Sequence, residues 1–155
     1  MPIKSFRGLV ASNKQDTIHL HTKDGSTGYR IVKFQVMSPD SSENIESTMK
    51  IYKIKQTTID DDINFSDNTL LAAAVITQSA TGQNYPEDQT IIFDNEIFNQ
   101  DIYVTLAGGD YDASINYYIE LEMIKLDLNE NTVATLKDIR NETLSLYWQR
   151  SIILI

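Results

Sequence analysis

The run INYYIELEMIKLDL, residues 115–128, alternates apolar and polar side chains more regularly than any other part of the chain. Ile115, Tyr117, Ile119, Leu121 and Met123 fall on one side, and Asn116, Tyr118, Glu120 and Glu122 on the other. A period of two belongs to a β-strand with one face buried and one face wet. The same period recurs in TIHLHT (17–22), YRIVKFQVM (29–37) and TLSLYWQRSIILI (143–155). In the second of these, Val32, Phe34 and Val36 are expected to point inward, and Lys33 and Gln35 outward.

Turn-forming stretches separate the runs. KDGSTG (23–28) joins the first two, so that pair reads as a β-hairpin with a longer loop. SPDSSEN (38–44), the acidic IDDDINFSDN (59–68), SATGQNYPEDQ (79–89) and GGDYDAS (108–114) are further breaks. TMKIYKIKQT (48–57) reads as a strand whose lysines, at 50, 53 and 55, suit an edge or a solvent-facing position. TLLAAAVITQ (69–78) reads as a strand buried on both faces, although its alanines also permit a short helix. TIIFDNEIF (90–98) and DIYVTLA (101–107) are two more strands. One segment carries helical spacing: NENTVATLKDIRN (129–141), with Asn129 or Asn131 as N-cap and Val133, Leu136 and Ile139 as its covered stripe.

About eight or nine short strands with one C-terminal helix imply a mainly β fold, a single antiparallel β-sandwich of the jelly-roll kind spanning residues 1–155. The length, 155 residues, suits one domain with its own core.

Composition narrows the function classes. There are no cysteines, which excludes disulfides, zinc–thiolate sites and thiol nucleophiles. Net charge is −9, with 13 Lys+Arg against 22 Asp+Glu and no basic run. A nucleic-acid binder needs a basic footprint to displace counterions, so neither nucleic acid nor an anionic membrane is an expected partner. The N-terminal MPIKSFRGLV lacks the apolar stretch of a signal peptide, and no run approaches the length of a membrane helix.

Three groups of residues invite chemistry. His19 and His21, the chain's two histidines, would share one strand face, with Asp24 just beyond in the turn. A metal site needs at least three protein ligands, and two exposed imidazoles on the wet face of a hairpin are the simpler explanation of the spacing. Asp60, Asp61 and Asp62 resemble the opening of a calcium loop, but its sixth and twelfth positions hold Phe65 and Leu71 instead of Gly and Glu. A solvated acidic turn is the reading that fits. Asp110, Asp112, Glu120 and Glu122 carry no signature of an acid–base pair. No nucleophile elbow or phosphate loop occurs. No catalytic residue, cofactor or metal is therefore expected. The remaining candidates are aromatic: Tyr118 and Tyr147, on the outward side of their strands, and Trp148 beside them, as an interface for a protein or a sugar.

The segment NYYIELEMIKLDLNENTVATLKDIRN, 116–141, resembles a recurring C-terminal region of small virion structural proteins of marine tailed phages. NYYIELE followed by VATLKDIRN carries the likeness, and the preceding DIYVTLAGGDYDASI (101–115) resembles the same proteins less closely. The resemblance implies a virion component assembled in the bacterial host cytoplasm. With an acidic surface unsuited to lining DNA, it further implies a capsid decoration or cement protein on the outer shell. Its partners would then be major capsid or other virion proteins and further copies of itself, with a trimer as the expected oligomer. A tail, neck or fibre position and a carbohydrate-binding adhesion module are the alternatives.

Overall fold

The computed structural model describes residues 2–80, 87–109 and 111–127. Among them lie eight strands: β1 (Ile3–Val10), β2 (Lys14–Ile18), β3 (Thr27–Met37), β4 (Ile45–Tyr52), β5 (Leu70–Gln78), β6 (Glu87–Ile92), β7 (Ile102–Gly108) and β8 (Ile115–Lys125). They form two antiparallel sheets, β1-β8-β3 and β2-β7-β4-β5-β6. No helix occurs among the described residues. The expected helix over 129–141 and the final alternating run over 143–155 lie outside them.

Alternation in sequence becomes burial in space. β8 is the middle strand of the smaller sheet, and Ile115, Ile119 and Leu121 are fully buried on its inner face. Opposite them stand Met49 and Ile51 of β4, Leu71, Ala72, Ala74 and Ile76 of β5, and Ile102, Val104 and Leu106 of β7. All belong to one apolar cluster to which both sheets contribute, a sandwich-like arrangement. Burying such a set is the main favourable term in folding. The helix alternative for residues 69–78 does not occur. β5 lies between β4 and β6, and its alanines are buried on both faces.

The strand pairs nest. β1 pairs with β8, β2 with β7 and β4 with β5. Between these, β3 is joined to the segment following β6 by a bridge at Tyr29 and Phe98, each N–H donating to the other's carbonyl at 2.8 and 3.0 Å. Their rings stack with centroids 6.3 Å apart.

Three expectations need correction. β2 and β3 are not a hairpin: they belong to different sheets, and β2 stops at Ile18. The intervening loop is long enough to carry the chain across the core. Val32 points outward, because a register shift between Ile31 and Lys33 inserts one extra residue, so Ile31 and Phe34 are the buried positions. The lysine-bearing strand is neither an edge nor solvent-facing. β4 sits between β7 and β5, and Lys50 and Lys53 are buried. β1, for which the sequence carries no alternating signal, is an edge strand with most of its residues exposed.

Ser47 interrupts the inner row of β4. It is buried, and its hydroxyl is the one buried side-chain polar atom without a hydrogen-bond partner among the described residues. An orphaned hydroxyl in an apolar core is destabilising. Ser47→Ala is therefore expected to raise stability by about 1 kcal/mol, visible as a higher urea midpoint at unchanged slope.

Candidate interaction face

Each group singled out by sequence has a definite place. Ile18 and Leu20 are buried while His19 and His21 are exposed, as alternation requires. Both rings turn to Asp101, immediately before β7, and not to Asp24. His21 Nδ1 donates to Asp101 Oδ1 at 2.7 Å, and His19 Nδ1 lies 3.3 Å from Oδ2. The backbone N–H groups of Leu20 and His21 also donate to Oδ1, at 2.8 and 3.1 Å. Asp24 is engaged locally, accepting from Ser26 and Thr22. Among the described residues, no group of three or more His, Asp or Glu side chains is arranged to hold a metal ion.

The cluster is a clamp that ties the end of β2 to the start of β7. Partial burial acts to raise the Asp101 pKa. The His21 ring, the two backbone donors and the His19 ring outweigh it and hold the carboxyl at about 2. A carboxyl depressed in the folded state contributes stability present above its unfolded value and lost as pH falls toward 2. The expected contribution is at most about 2 kcal/mol, because the rings are largely solvated. In Asp101→Asn, the drop in stability between pH 4 and pH 2 should be shallower than in the parent chain, measured by urea melts across that range.

The acidic triplet is also structural. The loop over residues 53–69 forms a strap that covers Lys50, whose side chain leaves β4 on the side opposite Met49 and Ile51. It also touches β2 at Gln15 and the segment after β6 at Phe93. Lys50 Nζ donates to Asp60 Oδ1 at 3.0 Å and to the backbone carbonyl of Asp62. Lys53 Nζ donates to Glu96 Oε2 at 2.9 Å. Burial alone would push the Lys50 pKa down, but hydrogen bonds to Tyr52 and Asp60 reverse this, and the net shift is upward. The lysine remains an ammonium ion and serves as the anchor of the strap. Asp110 lies outside the described residues; Asp112 accepts from the Ser12 hydroxyl at 3.3 Å.

Glu120 and Glu122 are not paired with each other. Glu120 accepts from the Tyr118 hydroxyl at 2.8 Å, and Glu122 holds Arg30 through Nε at 2.7 Å and Nη2 at 2.6 Å. The hydrogen bond to Glu120 keeps the Tyr118 phenol protonated, raising its pKa.

Tyr118 is the sequence-derived interface residue that falls among the described residues; Tyr147 and Trp148 do not. It lies on the outer face of the smaller sheet. The register places Arg7, Tyr118 and Gln35 in one row across β1, β8 and β3, and Leu9, Asn116 and Met37 in another. Arg7, Tyr118, Gln35, Asn116 and Met37 line a shallow depression of about 770 Å³, to which Gly8, Val36 and Tyr117 also contribute, and Leu9 stands next to it in the register. The Lys33 ammonium sits 5.9 Å from the Tyr118 ring centroid. Leu9 and Met37 are exposed there. Arg7, Leu9 and Met37 are outside what sequence reasoning identified. The signal that could have found them is cross-strand register, which no single strand displays.

Beneath this face, Tyr117 turns inward over Gly8 and donates its hydroxyl to Asp16 Oδ2 of β2 at 3.2 Å. The bond links the smaller sheet to the larger.

No protein-family model matches the chain, and no curated protein sequence matches it. Among solved structures, the chain is similar to a protein of Bacillus endospore appendages, described as a novel family of disulfide-linked pili. The TM-score is 0.36 and the identity 8%, over 81% of this chain and 89% of that one. A likeness that distant bears on neither function nor partners.

Proposed function

We propose that the protein is a non-enzymatic virion structural component, most specifically a capsid decoration or cement protein of a tailed phage. It would act by binding assembled subunits through the outer face of its smaller sheet. The observation that carries this reading is the composition of that face: Arg7, Tyr118, Asn116 and the exposed Met37 gathered around one depression, with the exposed Leu9 paired to Asn116. Tyr, Arg and Met are the residue types enriched where proteins meet. The likeness of residues 116–141 to phage virion proteins supplies the setting. The nested strand pairing supports a jelly-roll topology, with the C-terminal helix as an added element. Such a protein would stabilise a shell by mass action, since it binds the assembled state and not its parts.

The test is location on native particles. Labelled protein, or antibody against it, should decorate the shell evenly. A single labelled vertex would move it to the tail or neck, and absence from purified particles would remove the virion reading. A glycan array with hits abolished by Tyr118→Ala would instead favour the adhesion alternative.

A further inference from the structure

We propose that the outer face of the smaller sheet receives the acidic strap of a second copy of this chain. This deepens the reading of that face as a protein-binding surface and rests on it. The two surfaces complement each other in charge and in shape of exposure. On the receiving face the register brings Arg7, Arg30 and Lys33 together with only Glu120 and Glu122, a local cationic excess on a chain of net charge −9. Arg30 is consumed by Glu122 and Lys33 lies over Tyr118, whereas the Arg7 guanidinium has no ion pair among the described residues. Leu9 (53% exposed) and Met37 (71%) flank the depression.

The strap presents the opposite character. Asp60 and the backbone of Asp62 are spent on Lys50, which fixes the loop. Asp61 is exposed, and its carboxylate has no ion pair or hydrogen bond among the described residues. Beside it, Phe65 is 59% exposed and Ile63 38%. Phe65 is held edge-on by Phe93, with centroids 5.4 Å apart, so it projects as a preformed knob. A phenyl ring entering the depression between Tyr118 and Met37, with Asp61 meeting Arg7, pairs an aromatic anchor with a charge contact. Lys50 has already ordered the strap, so little further loop entropy is lost on docking.

The strap and the depression lie on the outer surfaces of opposite sheets. The contact is therefore heterologous: each copy uses one surface to give and another to receive, and association continues beyond a dimer until it closes or runs on as a stack.

The experiment is sedimentation velocity of the full chain over a concentration series, with variants at both surfaces. The parent chain should form species larger than a dimer as concentration rises. Arg7→Asp and Asp61→Arg should each weaken association at least about tenfold, and the double variant Arg7→Asp/Asp61→Arg should recover most of it. Phe65→Ser should weaken association by a similar factor, with melting temperature recorded to show that folding is kept. A strictly monomeric parent, an association that stops at a dimer, or a double variant no better than its worse parent would each overturn the proposal. Capsid binding separates the two levels. If Arg7→Asp abolishes binding to purified capsids while self-association persists, the face meets capsid subunits and the second-copy inference fails alone. If neither changes, the reading of the face as a protein contact fails with it.

Discussion

Replacing Lys50 with alanine is expected to destabilise the fold by about 3 kcal/mol and to release the strap over residues 53–69. The side chain is 3% exposed, and its ammonium group serves two acceptors on the loop. Alanine removes three methylenes and the charge, leaves a gap beneath the strap, and deprives the Asp62 carbonyl of its donor. Asp60 is half exposed, so the ion pair itself contributes little once water can replace the lysine. The larger part of the loss comes from the buried stem and the anchoring of the loop. Lys50→Met retains most of the stem and should recover at least half of the stability. Two measurements separate these effects. Urea melts give the energetic loss, and an aspartate-directed endoprotease should cut at 60–62 much faster in Lys50→Ala than in the parent. Equal cleavage rates would mean that the lysine does not hold the strap.

Raising pH from 10 to 12 is expected to cost about 2 kcal/mol through Tyr117 alone. Burial, the charge of Asp16 and the hydrogen bond to it push this phenol up to about 12. The folded chain therefore keeps a proton that the unfolded chain loses near pH 10. Stability is fully present below pH 10 and falls as pH rises through 12. Tyr117→Phe should flatten that fall while sacrificing the bond to Asp16. Tyr29, also raised, by burial, leaves a residual slope. Gly8 sets the geometry: a Cβ there would stand 2.7 Å from the Tyr117 hydroxyl and 2.8 Å from the ring carbon bearing it. Gly8→Val should displace the ring, cost about 1–3 kcal/mol and remove the alkaline signature together with the bond. A Gly8→Val chain with an unchanged alkaline melt would show that the ring does not pack over this glycine.

Much of this molecule was legible in its sequence where a strand has one dry face and one wet face. β8 follows its alternation from Ile115 to Leu121 and then departs from it, with Glu122 buried where it holds Arg30 and Met123 half-buried. Ile18 and Leu20 against His19 and His21 alternate past the end of β2. Alternation alone misleads where a second layer intervenes. Lys50 looks like a solvent-facing residue because lysine usually is, but the acidic strap supplies partners from residues 60–62 and covers it. The same strap accounts for the aspartate triplet that resembles a calcium loop. Val32 fails because a bulge changes the phase of alternation, a feature visible only when the partner strand is in place. β1 escaped notice because an exposed edge strand needs no apolar row. The clamp on Asp101 depends on a contact across 80 residues, and spacing along the chain offered Asp24 instead. The depression around Tyr118 shows the same limit. Its tyrosine stands out from one strand, but Arg7 and Met37 become part of it only through pairing with β8.

We propose that the molecule works by adhesion through the outer face of its smaller sheet. Imaging native particles at a resolution that places individual chains tests it most directly. The account predicts that Arg7, Tyr118 and Met37 are buried against protein at every copy. Density in which that face stands open to solvent on every copy, with contacts made elsewhere, would contradict it.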